Sequence, residues 1–404
     1  MTLRLAALAQ GKSLRPAALA QGKKMVLASA FACVVAAGIA WPDRVLSHGS
    51  ITTTVLFDRE IVRVLNDHCV MCHMDQGLAF PLETYEQTWL SRQAVRTSVL
   101  RRHMPPWAAV PGYGTFANAN NLTLREYQFV TSWVEGLGPR NAGKVFLNVA
   151  NATPSTEQVR ATAAHITHWR TEADVKVQLP PTSVAARQAD SIVNVTVDLK
   201  LPGARSVRAI EYMPGDRRVL RAAVFTLEQT GQWLGSWTPW SGFVTTPPGA
   251  AFRLPANARV ITQLHYRGTS ENVIDRGTLG LSFAPQGSAQ VISDVVFRES
   301  AAVRASKGPH TVRATTRLAA STAVWALVPR VAAGLASVQV TARTPDGGTN
   351  ILLFARNPPA EWPTPYILAR PVLLPSGTEL SVSARYDNAP PADPVLLTVS
   401  RFAP

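Results

Sequence analysis

The hydrophobic period of this chain changes a third of the way along, and that change limits the folds open to it. Between residues 49 and 142 apolar residues recur three and four apart, as in "DREIVRVLNDHC", "TYEQTWLSRQAVRTSVLRR" and "TLREYQFVTSWVEGLG". This spacing lines one face of a helix. From about residue 183 onward Val, Ile and Thr alternate with polar residues, as in "SIVNVTVDL", "ARVITQLHY" and "TELSVSARY", the pattern of half-buried strands. Thr123 followed by Glu126 predicts a capping box, Pro139 ends the last helix, and "TPDGGTN" predicts a hairpin turn. A length of 404 residues exceeds what one hydrophobic core normally serves. The expectation is a multidomain chain: an all-α domain over 49–142, a linker over 143–182, and two β-sandwiches over 183–290 and 291–404, with a seam near "PQGSAQVIS".

The N-terminus reads as an export signal. Arg4, Lys12, Arg15, Lys23 and Lys24 precede the 16-residue apolar run "MVLASAFACVVAAGIA", with no acid among residues 1–40. That run is shorter than the roughly 20 residues a membrane-spanning helix needs, so a signal peptide over 1–40 is expected, with an uncleaved anchor as the alternative. The predicted location is periplasmic or extracellular.

Removing this leader takes Cys33 and leaves Cys69 and Cys72 as the remaining sulfhydryl pair, in "NDHCVMCHMDQG". A zinc site asks for about four ligands, and no second Cys pair exists. A redox-active pair asks for a thioredoxin-like βαβ context, which the neighbourhood lacks. Cys69-Val70-Met71-Cys72-His73 matches the attachment signature of c-type haem: two thiols a helical turn apart form thioethers, and the adjacent imidazole of His73 reaches the iron. For the second axial ligand, "RRHMPPW" offers Met104, held by Pro105 and Pro106, or His103. Met104 is the preferred assignment.

The stretches "CVMCHMDQGLAFPLETYEQ", "RRHMPPW", "RAIEYMPGDRRVL", "PPGAAFRLPANARVITQLHYRG" and "TPDGGTNILLFA" resemble, in content and order, bacterial proteins that fuse a cytochrome c domain to a copper type II, ascorbate-dependent monooxygenase module of the peptidylglycine hydroxylase kind. The resemblance implies an all-α cytochrome c domain followed by two all-β jelly-roll sandwiches, with copper sites facing each other across a cleft. The copper ligands do not carry over. Arg221 and Ala222 stand where the family has a His-His pair, and Pro329-Arg330-Val331-Ala332 replaces Pro-His-Met-His. His265 alone persists, as a possible residual copper ligand. Residues 143–404 hold His165, His168, His265, His310 and Met213, too few for two sites that use five His and one Met.

The resulting expectation is an exported electron carrier with one covalent haem c, no copper, and a degenerate monooxygenase-like module used for docking or ligand binding. The alternatives are an active haem-coupled copper monooxygenase with an atypical site at His265, and catalysis at the haem iron itself. The net charge is +14, and removing residues 1–40 leaves +9, which favours an acidic redox partner. Nucleic acid is not expected as a partner, and a membrane only if the leader stays attached.

Overall fold

The computed structural model describes residues 53–141, 168–285, 290–298, 308–387 and 395–404. The expected signal peptide, and the part of the expected linker that holds His165, lie outside the described residues. The described chain from Thr53 on belongs to one compact unit. Strand accounts for 43 % of it and helix for 13 %.

The helical part begins with a π-helical turn at Phe57–Ile61 and continues as α1 Val62–His68, α2 Tyr85–Leu100 and α3 Leu124–Glu135. Both longer helices start at capping boxes. Thr84 and Gln87 exchange hydrogen bonds at the head of α2, as do Thr123 and Glu126 at α3, so four otherwise orphaned backbone donors are satisfied. Phe57, Ile61, Leu65, Val70, Leu82, Trp133 and Val134 form a small core between these elements.

Among the described residues twenty strands follow: β1 Val175–Gln178, β2 Thr182–Val184, β3 Ser191–Asp198, β4 Arg205–Met213, β5 Leu220–Leu227, β6 Trp233–Trp237, β7 Phe243–Thr245, β8 Ala250–Leu254, β9 Arg259–Tyr266, β10 Val273–Asp275, β11 Thr278–Phe283, β12 Gln290–Val291, β13 Ser293–Arg298, β14 His310–Arg317, β15 Thr322–Pro329, β16 Leu335–Arg343, β17 Thr349–Arg356, β18 Tyr366–Leu374, β19 Glu379–Tyr386 and β20 Val395–Phe402. One sheet runs β1-β11-β4-β8-β12, with β7 also on β4, and a second runs β3-β9-β5-β6. Two more sheets run β13-β20-β15-β18 and β14-β19-β16-β17, and β2 pairs with β10.

The sheet β13-β20-β15-β18 is shared between two cores. On β15, Trp325 and Ala326 join the core of the first two sheets, whereas Val324 and Leu327 join the core against β14-β19-β16-β17. Trp325 packs 5.7 Å from Trp233 and 6.0 Å from Phe252. A strand covered on both faces has no solvent side for polar residues, which is why "TAVWALVP" reads as a continuous apolar run.

These observations correct the expected fold class. Among the described residues there is no self-contained all-α cytochrome c domain, and the strands fall into several small sheets. The loop between α2 and α3 leaves the helices and completes the β body. Trp107 and Ala109 are buried in the second core, and Trp107 meets Tyr366 edge-on at 5.0 Å. Val110 N–H donates to Phe354 O at 2.7 Å, Ala117 N–H to Ile367 O at 2.7 Å, and Ala369 N–H to Thr115 O at 2.8 Å. Asn118 Nδ2 donates to Pro365 O and its Oδ1 accepts from Ile367 N–H. Periodicity identifies the helices but carries no information on which sheet a connecting loop covers. The segment read as linker contributes β1, which pairs with β11, and at Ile292 the chain passes from β12, on β8, to β13, on β20.

Candidate functional site

α1 ends at His68, and the backbone turns through the Cys-x-x-Cys segment without continuing as helix. Cys69 N–H donates to Leu65 O, and both Cys72 N–H (3.1 Å) and His73 N–H (3.0 Å) donate to Cys69 O. That turn brings both cysteines round within one loop. Both are free thiols. Burial pushes each thiol up to about 12, and for Cys72 the positive charges of Arg217 and Arg221 oppose that rise. Neutral thiols are therefore the resident form at physiological pH, which disfavours thiolate chemistry at this pair.

His73 is held in one tautomer. Its Nδ1 lies 2.8 Å from Phe80 O, and a carbonyl only accepts, so Nδ1 carries the proton. Burial lowers its pKa, opposed by that hydrogen bond. A neutral imidazole with Nδ1–H committed to a carbonyl presents a lone pair on Nε2, the arrangement that orients a histidine toward a metal. The loop behind it is braced by Leu82 N–H on His73 O and Asp75 N–H on Glu83 Oε2. Met104 lies 39 % exposed after α2, three residues before the anchored Trp107. His103 is exposed, and His68 is engaged with Asn120 at 3.0 Å and Glu126 at 3.3 Å.

The β body meets this loop with arginines. Arg218 Nη1 donates to Gln76 Oε1 at 3.1 Å, while the same guanidinium pairs with Asp216 and Glu271. Its neighbour Arg217 donates from Nη2 to Pro239 O at 3.2 Å and lies 5.8 Å over the Trp237 ring. Arg217 Nε and Nη1 are buried with no hydrogen-bond partner. Burial pulls the Arg217 pKa down to about 10. Arg221, on β5, lies 5.4 Å over the Trp362 ring. Its Nε is 3.2 Å from Asp190 Oδ1 but without hydrogen-bond alignment. Trp240 packs 5.6 Å from Trp362, and its buried Nε1–H also lacks a partner. The sequence marks Arg221 only as the occupant of a lost copper-ligand position and does not mark Arg217 or Trp240. "GDRRVLR", with three arginines around the start of a buried strand, was the available signal.

His265 sits on β9 opposite Ala222 of β5 and Ile192 of β3. It is 8 % exposed, and its Nε2 is 3.1 Å from Gln263 Oε1. Burial, then the charge of Arg330, lowers its pKa to about 4, with Asp190 opposing. The metal-binding expectation is corrected here. Among the described residues no three His, Cys, Asp or Glu side chains come together to hold a metal ion, and His265 has an arginine as its neighbour where a copper site asks for further imidazoles. A metal held by protein donors alone is thus not supported at His265 or at the Cys pair. No helix among the described residues is long and apolar enough to cross a membrane.

No family model matches this chain, and no curated protein matches it. Its structure is similar to chains of several solved proteins at low identity. One is from the naturally occurring empty particles of cowpea mosaic virus (8 % identity, 59 % of this chain and 91 % of that chain, TM-score 0.24). Another is the allantoicase of Saccharomyces cerevisiae (9 %, 52 % and 77 %, TM-score 0.18). The PBSX exported protein XepA is a third (10 %, 57 % and 86 %, TM-score 0.18). At these scores the similarities carry no inference about what this chain does.

Proposed function

We propose that this chain is an exported electron-transfer protein carrying one haem c, attached covalently through Cys69 and Cys72, with His73 and Met104 as axial ligands. The β body, on this reading, is a degenerate monooxygenase-like scaffold that docks partners or binds ligand. The observation that carries the reading is the fixed tautomer of His73 beside two half-buried thiols: Nδ1–H is committed to Phe80 O and Nε2 faces away from that bond with its lone pair. A haem brings its iron already held by four porphyrin nitrogens, so it asks the chain for one or two axial donors instead of a cluster of three. When bound it supplies one-electron oxidation and reduction.

The residues fit such a group in a second way, because Arg217 and Arg221, which carry buried N–H atoms without a partner, flank in sequence Arg218, which holds the Cys loop through Gln76. Attachment is balanced without an oxidant. Each thiol S–H adds across a vinyl C=C, the sulfur bonding to one carbon and the hydrogen moving to the other. The chain's own tasks are to present two neutral thiols on one turn, orient His73, and keep water from the Cys pair.

The test is mass spectrometry of the chain matured in a periplasm that supplies haem. One haem should remain on the polypeptide after acid-acetone extraction and be absent from Cys69→Ala/Cys72→Ala. Extractable haem, or a chain with no added mass, overturns the reading.

A further inference from the structure

We propose that Arg217, Arg221 and Trp240, all from the β body, form a carboxylate cradle that holds the propionate groups of a haem attached at Cys69 and Cys72. The inference rests on the function proposed above and identifies which part of the chain completes the site.

Cations are rarely buried without a counter-charge, because moving a guanidinium out of water is costly unless its donors are paired. Arg217 breaks that rule: it has one hydrogen bond, to Pro239 O, and two buried donors, Nε and Nη1, with none. Arg221 is 7 % exposed, and the carboxylate that approaches its Nε, on Asp190, is misaligned for a hydrogen bond. Trp240, next to Pro239, adds a fourth buried and unpaired donor, and its ring joins that of Trp362, over which Arg221 lies. The unsatisfied atoms are therefore connected through Pro239, Trp240 and Trp362 into one group, not scattered. Arg218, next to Arg217, ties the loop four residues beyond Cys72 to the same β5 approach.

A ligand suited to this group carries negative charge on planar oxygens, offers acceptors only, and has an apolar face for the tryptophans. Carboxylates match guanidinium forks two oxygens to two N–H groups. A haem tethered at Cys72 presents two of them on a flat apolar ring. A free carboxylate or phosphate shares the anionic chemistry but not the tether.

The experiment compares the full chain, haem-loaded, with the haem-free Cys69→Ala/Cys72→Ala chain, each with and without Arg217→Met. In the haem-free chain, removing an unpaired buried cation should raise Tm. In the haem-loaded chain the same substitution should lower it, because the propionate loses its partner. Loss of positive charge should also shift the oxidised-to-reduced equilibrium about tenfold toward the oxidised form in Arg217→Gln/Arg221→Gln, about 59 mV for one electron. Arg253→Gln/Arg259→Gln, which removes an equal charge from exposed positions on β8 and β9, should leave the potential unchanged. If haem is attached but Tm moves in the same direction in both backgrounds and the potential stays put, the cradle is refuted while the function stands. If inorganic phosphate raises Tm of the haem-loaded wild type but not of Arg217→Met, the cradle takes a free anion and the proposal fails. A wild-type chain without haem refutes the function itself.

Discussion

The two β cores share one sheet, yet the helical segment closes them in different ways. Over the second core lies the loop of Trp107, Ala109 and Phe116, and its backbone donors and acceptors are paired with β17 and β18. Against the first lies the Cys-x-x-Cys loop, and there the β side leaves Arg217, Arg221 and Trp240 with unpaired N–H atoms. One junction is finished by the chain alone. The other keeps buried N–H groups without partners, which on the proposal above an anionic group completes, and the difference teaches that an incomplete buried hydrogen-bond inventory can mark a site even where no donor cluster does.

Substitutions can break this contrast, beginning with the shared sheet. Trp325→Ala, at the point where the two cores adjoin, should cost roughly 3–5 kcal/mol, and urea unfolding followed by tryptophan fluorescence and by circular dichroism should remain one coincident transition. Two separated transitions would show that the cores are independent after all. Trp107→Ala should come close to this, roughly 3 kcal/mol, although the residue belongs to the helical segment. A loss confined to the helices, with the β transition unmoved, would contradict the closure described here.

A second pair of predictions uses pH to sharpen the comparison. Asp294, which accepts from Trp233 N–H at 2.7 Å, is raised by burial to about 6. A raised carboxyl contributes stability below its unfolded pKa near 3.8, and that contribution is lost as pH rises through about 6. His265 is lowered to about 4, so its contribution is present above the unfolded value near 6.5 and lost as pH falls through about 4. Between pH 4 and 6 the two slopes oppose each other. Asp294→Asn should therefore expose a stability that climbs with pH over that range, and His265→Gln one that falls, each by up to about 3 kcal/mol. Chemical denaturation at pH 4, 5 and 6 reads both; parallel curves for the two variants would refute the pairing.

The smallest effect is at the surface. Thr123→Ala removes the cap of α3 and should cost about 1 kcal/mol, lowering Tm slightly without altering haem content. A large loss of haem in that variant would mean that the head of α3 supports the Cys loop more directly than the hydrogen bonds indicate.

Much of the local structure was legible in the residues themselves. The Thr123 to Glu126 capping box is present, the "TPDGGTN" turn joins β16 to β17 with Gly347 at φ 89°, and the alternation of "SIVNVTVDL" becomes β3 with every second residue exposed. Such features depend on a few neighbouring residues, so their spacing is enough. At the candidate site, Cys69, Cys72 and His73 are adjacent and declare themselves as a motif. Arg217 and Trp240 do not, because nothing local distinguishes an arginine that will be buried and unpaired from one that will be solvated.

What the sequence alone determined is therefore short in range: helix against strand, caps, turns, and the Cys-x-x-Cys-His turn. The tertiary structure decided the rest. It placed Trp107 in a β core, made β15 serve two cores at once, set the charge of Arg330 against His265 instead of further imidazoles, and left arginines of the β body with buried N–H atoms that lack a partner. The physical reason is that burial and pairing are properties of surfaces in contact. Those surfaces come from segments many tens to more than two hundred residues apart, so no short window of sequence contains both sides of the contact.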